Sequence, residues 1–377
     1  MVTKGIFIDI DSLYVKGKRE FIGVTQPKFW YYSMKNPNDM ILVKRQSSLS
    51  TKKNVPKSPT FNHFGEYMGY KIAEQIDIKA CPVDLGTLYD TKNRYSKTMI
   101  FYTVCASHKL IETGAVFSFG ENIICEFLNT NTIELHTVLK KIDSLYHSNS
   151  YIPSDLENNV DIIIAALSWK TRKYEHNIGK RTEDEIEQDV RDNVRTIIYM
   201  ILYDCIFGNY DRHSQNWAVQ MSKESGKLTV YPLYDNEAVF GLNRPVSEIN
   251  EIFLDTKDMQ KKIDSILCSR MGIKGANSKV SYDKMISYLI DEYPDYTIPA
   301  LKSIISKIDN RFVESIYDSF KGISTRGEHA EELTEKDELP DIYRIFGLYV
   351  FNQRINSIRG ILDKSKQVKK EKLERQM

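Results

Sequence analysis

The sequence predicts an α+β protein with two lobes, a small lobe rich in β-strands and a larger lobe that is mostly α-helical. In the first hundred residues, short runs of aromatic and β-branched residues alternate with polar turns, which is typical of strands. From about residue 130 the apolar residues recur at helical spacing. We therefore expect a small lobe over residues 1–105 and a larger lobe over residues 106–377.

The small lobe is predicted to combine strands with one embedded helix. The predicted strands cover residues 5–10, 29–33, 40–44 and 98–105. In the segment FGEYMGYKIAEQI the apolar side chains repeat at helical spacing, which leaves Glu66 on a different face of the helix. The apolar positions are Phe64, Tyr67, Met68, Ile72 and Ile76.

The clearest helix of the larger lobe begins at the segment RTEDEIEQ. Thr182 and Glu185 have the spacing of a capping box, and the acidic first turn suits the helix dipole. This helix should end near residues 207–208, and a β-hairpin should follow it. The hairpin strands are predicted at 217–221 and 227–231, and further helices at 279–292, 298–307 and 342–362. The Lys-rich tail after residue 363 is predicted to be a solvated helix end.

The composition is that of an ordinary globular protein. The chain has 377 residues, of which 41% are hydrophobic and 27% are charged. The 52 Lys and Arg residues against 51 Asp and Glu residues give a net charge of +1. This composition excludes a histone-like cation, a collagen or a disordered chain, and it gives no strong signal for nucleic acid as a partner.

The cysteines and the apolar stretches bear on location. The five cysteines lie far apart without a CxxC pair, which argues against a disulfide framework or a zinc site. The apolar run directly before Asp9, at residues 6–8, has only three residues, too few for the apolar region of a signal peptide. The most apolar stretches, 162–167 and 197–202, are far shorter than the ~20 residues needed to span a membrane. We therefore expect a soluble cytoplasmic protein without a membrane partner.

The candidate functional residues lie in two segments, GNYDRHSQNW at 208–217 and YPLYD at 231–235. Asp211 and Asn216 have the D-x-x-x-x-N spacing of kinase catalytic loops. Phosphoryl transfer from ATP needs a carboxylate that orients the attacking hydroxyl and oxygen ligands that hold Mg²⁺. In this interpretation Asp211 is the base-like residue, and Asn216 and Asp235 are the metal ligands. The D-x-x-x-x-N spacing alone often occurs by chance, with the aspartate capping a turn and the asparagine binding backbone groups. The joint pattern of both segments favours the kinase interpretation.

These two segments resemble the C-terminal kinase region of the HipA toxin family. The likeness is to its compact CtkA-type serine/threonine kinases, which lack the N-terminal subdomain of HipA. The family motif reads roughly GNxDRHxxNW, and every fixed position is present here. The likeness covers about residues 30–240 and is weakest between 110 and 180. It implies a bilobal protein-kinase-like fold with a small, mostly β N-lobe containing one helix and a larger, mostly α-helical C-lobe.

The resemblance extends to the expected nucleotide site in the small lobe. Lys44 in MILVK resembles the strand lysine that binds ATP phosphates, and Glu66 resembles the helix glutamate that pairs with this lysine. A lysine at the end of an apolar strand and an acid on the next helix are suited to such an ion pair. The adenine would be bound by backbone groups near Thr103 and Cys105, at the end of the strand that joins the lobes.

Two parts of the pattern differ from ordinary protein kinases. The glycine-rich G-x-G-x-x-G loop is absent, and Gly17 and Gly23 are candidates either for a sparse nucleotide-covering turn or for an ordinary hairpin turn. Arg212 and His213 follow the aspartate rather than precede it. We expect both to brace the loop, Arg212 through a carboxylate and His213 through the backbone.

The resemblance implies an ATP- and Mg²⁺-dependent serine/threonine protein kinase, autophosphorylating and toxin- or effector-like, whose protein substrate the sequence does not identify. It also leaves room for an antitoxin or other regulatory partner on a separate chain. Two alternatives stay open. One is a catalytically idle pseudokinase that binds a nucleotide or a partner, and the other is a phosphoinositide-type lipid kinase, because DRHxxN also occurs in that class. The PLYD segment favours the HipA-like interpretation over the lipid kinase.

Overall fold

A six-stranded sheet and a helix that packs on it form the first of two units in this computed structural model. Unit 1 contains the described residues of 1–110, 234–262 and 308–350, and unit 2 those of 111–233, 263–307 and 351–377. The structure describes residues 7–20, 28–36, 39–45, 48–49, 58–89, 101–111, 114–130, 158–254, 257–274, 280–321, 323 and 338–376. Each unit is thus assembled from three stretches of the chain, and the expected lobe boundary between residues 105 and 106 stays a prediction.

The sheet of unit 1 has the strand order β1-β7-β8-β4-β3-β2. Its strands are β1 (Phe7–Asp9), β2 (Tyr14–Glu20), β3 (Lys28–Ser33), β4 (Met40–Arg45), β7 (Val83–Tyr89) and β8 (Phe101–His108). Strands β1 and β7 are parallel and the other neighbours are antiparallel. Two short strands, β5 (Ser48–Leu49) and β6 (Ser58–Pro59), pair with each other.

The helices of unit 1 come from distant parts of the chain. They include α1 (Ile10–Leu13), α2 (Asn62–Gln75), a 3-10 helix (Val239–Gly241), α6 (Val246–Leu254) and α10 (Asn310–Ser319). The ring of Phe64 on α2 stacks on Phe320 with centroids 4.5 Å apart, and Phe61 meets Tyr343 edge-on at 5.1 Å. Helix α2 is therefore held from outside the first hundred residues.

Unit 2 is mainly helical and contains one three-stranded antiparallel sheet. Its strands are β9 (Ala115–Phe119), β10 (Ala218–Ser222) and β11 (Leu228–Val230). Its helices are α3 (Gly120–Thr130), α4 (Val160–Ile178), α5 (Glu183–Phe207), α8 (Tyr282–Glu292) and α9 (Pro294–Lys307). Helix α7 (Met259–Ile266) and helix α11 (Asp341–Gln376) contribute residues to both units.

The strongest local predictions are confirmed. Helix α5 begins after a complete capping box in which the Thr182 side chain accepts from the Glu185 backbone, and Glu185 accepts from the Thr182 backbone. It ends at Gly208, whose φ of 72° is in the left-handed region that glycine tolerates. The hairpin of β10 and β11 follows as predicted. The predicted strands at 29–33 and 40–44 correspond to β3 and β4.

Other boundaries differ from the predictions. Strand β1 is shorter than 5–10, and the start of the strand predicted at 98–105 lies outside the described residues. Helix α9 begins four residues earlier than expected, with Pro299 inside it, and α11 continues through the Lys-rich tail. The sequence did not predict β2, whose charged residues are typical of an edge strand. Among the described residues, no helix combines the length and the hydropathy needed to cross a membrane.

Candidate active site

Lys44 is a buried cation near the end of an apolar strand. Its neighbours Ile41 and Val43 on β4 are buried in the core, and Lys44 itself is only 3% exposed. Its ammonium group forms ion pairs with the carboxylates of Glu66 and Asp235. The carboxylate of Glu237 lies 3.9 Å away. One lysine in unit 1 is therefore surrounded by three carboxylates.

The charges of this cluster depend on one another. Burial alone would lower the pKa of Lys44, but Asp235, Glu66 and Glu237 hold it well above its ordinary value. Burial raises the pKa of Glu66, although the pairing with Lys44 acts in the opposite direction. Because three acidic groups face one ammonium group, the fully ionised cluster has an excess of negative charge, which a bound cation would neutralise.

Glu66 connects the strand lysine to the segment that contains Asp235. It lies on the second turn of α2 and is fully buried. One of its oxygens pairs with Lys44, and the other accepts a 2.8 Å hydrogen bond from the backbone N–H of Asn236. A single buried carboxylate thus fixes both the lysine and the chain around Asp235.

The backbone of Asp235 has an unusual conformation. Its φ of 57° lies in the left-handed region, which few residues other than glycine adopt and which Asp tolerates better than most. Such conformations persist where the surrounding structure imposes them, often at functional sites. Here the hydrogen bond from Asn236 to Glu66 and the ion pair of Asp235 with Lys44 hold the segment on both sides.

The carboxylates of Glu66, Asp235 and Glu237 form a candidate metal centre. One oxygen from each lies within 4.8 Å of the others. Such an all-oxygen donor set suits a hard divalent cation such as Mg²⁺. Glu237 is not among the metal ligands predicted from the sequence. The signal that could have found it is a second carboxylate two positions after Asp235, on the same short segment.

The loop after α5 is braced by a buried ion pair in unit 2. Arg212, 2% exposed, donates from Nε and Nη2 to the two carboxylate oxygens of Asp204 at 3.0 and 3.1 Å. Its Nη1 donates to the backbone carbonyl of Asn216 at 2.6 Å, and the Asn209 side chain donates to Asp204 at 2.7 Å. The predicted contact of Arg212 with a carboxylate is therefore present. Burial raises the pKa of Asp204, although Arg212 favours its charged form.

Asp211 and Asn216 lie at the two ends of this braced turn. The Asn216 amide nitrogen donates to the backbone carbonyl of Asp211 at 2.9 Å, and the backbone N–H of Asn216 donates to the carbonyl of His213 at 2.8 Å. Within the described residues the amide oxygen of Asn216 accepts no hydrogen bond. The carboxylate of Asp211 is 25% exposed and forms an ion pair with Arg270 at 2.8 Å. The hydrogen bonds of the turn thus fix the positions of a partly exposed carboxylate and an amide oxygen.

A second arginine, which was not predicted from the sequence, supports the start of this loop. Arg354 on α11 is fully buried, pairs with the carbonyl of Cys205 near the end of α5, and donates to the carbonyl of Leu267 at 3.4 Å. Its guanidinium lies 4.5 Å from the centroid of the Tyr282 ring. Because it joins residues far apart in sequence, no local pattern points to it.

Thr103 and Cys105 lie on β8, which has strand neighbours on both sides. Thr103 pairs with Thr87 on β7, and the buried Cys105 lies opposite both Leu85 on β7 and Lys44 on β4. The expected role of these residues in binding adenine stays a prediction. Of the candidate glycines, Gly17 lies within β2, at a register shift of its pairing with β3. Gly23 lies outside the described residues.

The comparisons with known proteins concern the fold. No protein-family model and no curated protein sequence matches the chain. The crystal structure of the proinflammatory kinase CtkA from Helicobacter pylori is similar, with a TM-score of 0.60 and 16% sequence identity. That match covers 93% of this chain and 95% of CtkA. A weaker match, with a TM-score of 0.39 and 11% identity, is to HipA of Shewanella oneidensis MR-1 in its complex with HipB and operator DNA. It covers 92% of this chain and 67% of HipA.

The match to CtkA extends over nearly the whole of both chains, beyond the residues 30–240 on which the sequence resemblance was based. The mixed α and β architecture and the kinase-like fold expected from the sequence are therefore confirmed. The chain shares its fold with the kinase CtkA.

Proposed function

We propose that the chain is an ATP- and Mg²⁺-dependent serine/threonine protein kinase. The observation that carries this proposal is the buried Lys44, which is paired with Glu66 on a helix and with Asp235 on a segment distant in sequence. Kinases use such a lysine–glutamate pair and a metal-binding aspartate to hold the phosphates of ATP. A surface lysine would not need three carboxylates around it, and a buried one is costly without a function or a partner.

The cluster in unit 1 would bind the phosphates. Lys44 would donate to phosphate oxygens, and Glu66 would keep the ammonium group in place while these anions share it. Asp235, together with Asn216 from the braced turn, would supply the oxygen ligands for Mg²⁺, and Glu237 adds a carboxylate to the same cluster. When bound, Mg²⁺ would neutralise phosphate charge. Backbone groups near Thr103 and Cys105 would bind the adenine.

Asp211 would act on the protein substrate. Its partly exposed carboxylate can accept the proton of a serine or threonine hydroxyl and direct the oxygen toward the transferred phosphorus. The buried pair of Arg212 and Asp204 would keep the turn rigid, so that this carboxylate is in place before the substrate binds. The resemblance to HipA-like kinases adds the expectation of autophosphorylation, of cytoplasmic action and of an antitoxin or regulatory partner on another chain.

The test is transfer of radiolabelled phosphate from ATP in the presence of Mg²⁺, comparing the wild type with Asp211→Asn. We expect Asp211→Asn to reduce transfer by about 10²-fold or more while leaving the unfolding temperature unchanged. The matched control is Asp192→Asn, which removes an exposed carboxylate paired with Arg195 on the surface of α5. This variant should transfer phosphate like the wild type.

Two results would replace the proposal by one of its alternatives. Binding of ATP by calorimetry without any transfer in the wild type would identify a pseudokinase. Transfer to phosphoinositide vesicles but to no protein, including the chain itself, would identify a lipid kinase. Full activity of Asp211→Asn would show that Asp211 is not the base-like residue.

A further inference from the structure

The segment that carries Arg270 is fixed by backbone hydrogen bonds on both sides. Ser269 donates to the carbonyl of Val280 at 2.9 Å, and Val280 donates back at 3.3 Å. Gly272 donates to the carbonyl of Asn158 at 2.9 Å. Met271, which directly follows Arg270, is buried, with only 1% of its surface exposed. The backbone at Arg270 is therefore held without any contribution from the Arg270 side chain.

Asn158 ties this segment to the loop that contains Asp211. While its backbone carbonyl accepts from Gly272, its side-chain oxygen accepts from the backbone N–H of Ser214 at 3.0 Å. Ser214 lies three positions after Asp211 on the braced turn. One residue thus sets the position of the Arg270 segment relative to the turn, so the approach of Arg270 to Asp211 is a built feature of unit 2.

The guanidinium of Arg270 lies beside the candidate catalytic carboxylate with most of its donors unused. Its Nη1 is 2.8 Å from Oδ1 of Asp211, and its side chain is 56% exposed. In the part of the chain that the structure describes, Arg270 makes no second ion pair and no hydrogen bond to another residue. Because a guanidinium carries several N–H donors in a planar fork, it can contact Asp211 and a second anion at once.

Stability does not account for this arrangement. Ion pairs between partly exposed side chains contribute little to folding, about 0–1 kcal/mol. The backbone hydrogen bonds around Arg270 hold the segment independently of the pair. A cation fixed at a reacting carboxylate is, in contrast, a common means of stabilising charge that develops on a transferred phosphoryl group.

We propose that Arg270 binds the phosphoryl group during its transfer, and that Asp211 orients Arg270 for this role. The inference deepens the proposed kinase function and rests on it. In the transfer, the substrate hydroxyl oxygen forms a bond to the γ-phosphorus of ATP, and the bond from that phosphorus to the bridging oxygen breaks. The bond electrons leave with ADP, and the hydroxyl proton passes to the Asp211 carboxylate. Arg270 donates to the non-bridging oxygens of the group as it moves.

The test compares Arg270→Ala, Arg270→Lys and the wild type by calorimetry, with ADP and Mg²⁺ in the presence and absence of aluminium fluoride, which mimics the transferred group. For Arg270→Ala we expect ADP affinity within about 3-fold of wild type and a loss of at least about 10-fold in affinity for the aluminium fluoride complex. Turnover should fall by about 10²-fold or more, with the KM for ATP nearly unchanged. Arg270→Lys should recover part of both losses.

The matched control is Arg195→Ala, since Arg195 is 51% exposed and also pairs with an aspartate in unit 2. It should behave like the wild type in both measurements. Unchanged or increased turnover of Arg270→Ala would overturn the inference, the increase indicating that Arg270 blocks Asp211. A loss confined to the KM of the protein substrate would also overturn it and indicate recognition of an acidic residue in that substrate. If the wild type itself neither binds ADP nor transfers phosphate, the proposed function fails as well, so the two failures are told apart by the wild-type result.

Discussion

The backbone carbonyl of Glu237 lies directly against Gly65 on α2. A Cβ atom placed on Gly65 would come within 2.2 Å of the Glu237 oxygen, far inside any real contact distance. Gly65 precedes Glu66, whose carboxylate accepts a hydrogen bond from the backbone N–H of Asn236. The absence of a side chain at Gly65 is therefore what allows the segment 235–237 to approach α2 and bring Asp235 to Lys44.

This contact predicts that Gly65→Ala disrupts the carboxylate cluster. An alanine in a helix is ordinarily favoured over glycine by about 1 kcal/mol, but here the methyl group must displace backbone. We expect a loss of phosphate transfer of about 10-fold or more and a lower free energy of unfolding, measured by urea denaturation. Gly360→Ala is the matched control, because a Cβ there meets nothing within 4 Å. That variant should be neutral or slightly stabilised, and equal behaviour of the two variants would contradict the prediction.

The cluster of Glu66, Asp235 and Glu237 predicts that Mg²⁺ stabilises the fold. A ligand that binds only the folded state raises the unfolding temperature by mass action. We expect Mg²⁺ with ADP to raise the unfolding temperature of the wild type, and Asp235→Asn to lose most of the part due to Mg²⁺. Asp192→Asn, which alters a surface pair, should keep the full shift. An equal Mg²⁺-dependent shift in Asp235→Asn would show that the cation binds elsewhere.

The pairing of Asp204 with Arg212 predicts that a substitution away from the reacting groups lowers both the free energy of unfolding and phosphate transfer. Asp204→Asn would leave the buried guanidinium of Arg212 without its counter-charge, which costs about 3 kcal/mol when a buried pair is broken. We expect urea denaturation to report this loss, and phosphate transfer to fall because the turn with Asp211 loosens. Asp192→Asn should change the free energy of unfolding by no more than about 0.5 kcal/mol. A loss equally small in Asp204→Asn would mean that the turn is held by its other contacts.

His63 predicts a specific pH dependence of stability. Burial lowers its pKa to about 3, and neither ring nitrogen has a hydrogen-bond partner among the described residues. In the unfolded chain the pKa is about 6.5, so below that pH the unfolded state takes up a proton that the folded state refuses. The contribution of His63 to stability is therefore complete above about pH 6.5 and is lost as the pH falls toward 3.

The measurement is urea denaturation of the wild type and of His63→Leu between pH 7 and pH 5. Below pH 6.5 the free energy of unfolding of the wild type should fall, relative to that of His63→Leu, by up to ~1.4 kcal/mol per pH unit. Parallel pH curves for the two proteins would show that His63 does not titrate in this way.

The sequence predicted best the features that depend on neighbouring residues. The capping box at Thr182 and the hairpin after Gly208 are set by spacing over a few positions, and both are present. The family motif placed Asp211 and Asn216 on one loop, and a hydrogen bond joins them. Lys44 and Glu66 were predicted as a pair from resemblance, and their ion pair is present in unit 1.

The features that escaped prediction depend on contacts over long distances in the chain. Arg354 supports Cys205 from about 150 positions away, and Arg270 reaches Asp211 through a segment with no recognisable motif. The role of Gly65 depends on Glu237, which the chain brings to α2 only after completing the hairpin. Spacing along a sequence carries no information about such pairs, because tertiary packing alone creates them.

The order in which these residues are synthesised determines when unit 1 can fold. The rings that hold α2, those of Phe320 and Tyr343, are made long after Lys44 and Glu66. An N-terminal unit usually folds while the rest of the chain is being synthesised. Unit 1 cannot fold in this way, because it includes residues 308–350. A nascent chain that stalls before Tyr343 would lack the ring that packs on Phe61, next to the start of α2. The carboxylate cluster around Lys44 would thus form only after the chain has been synthesised beyond residue 343.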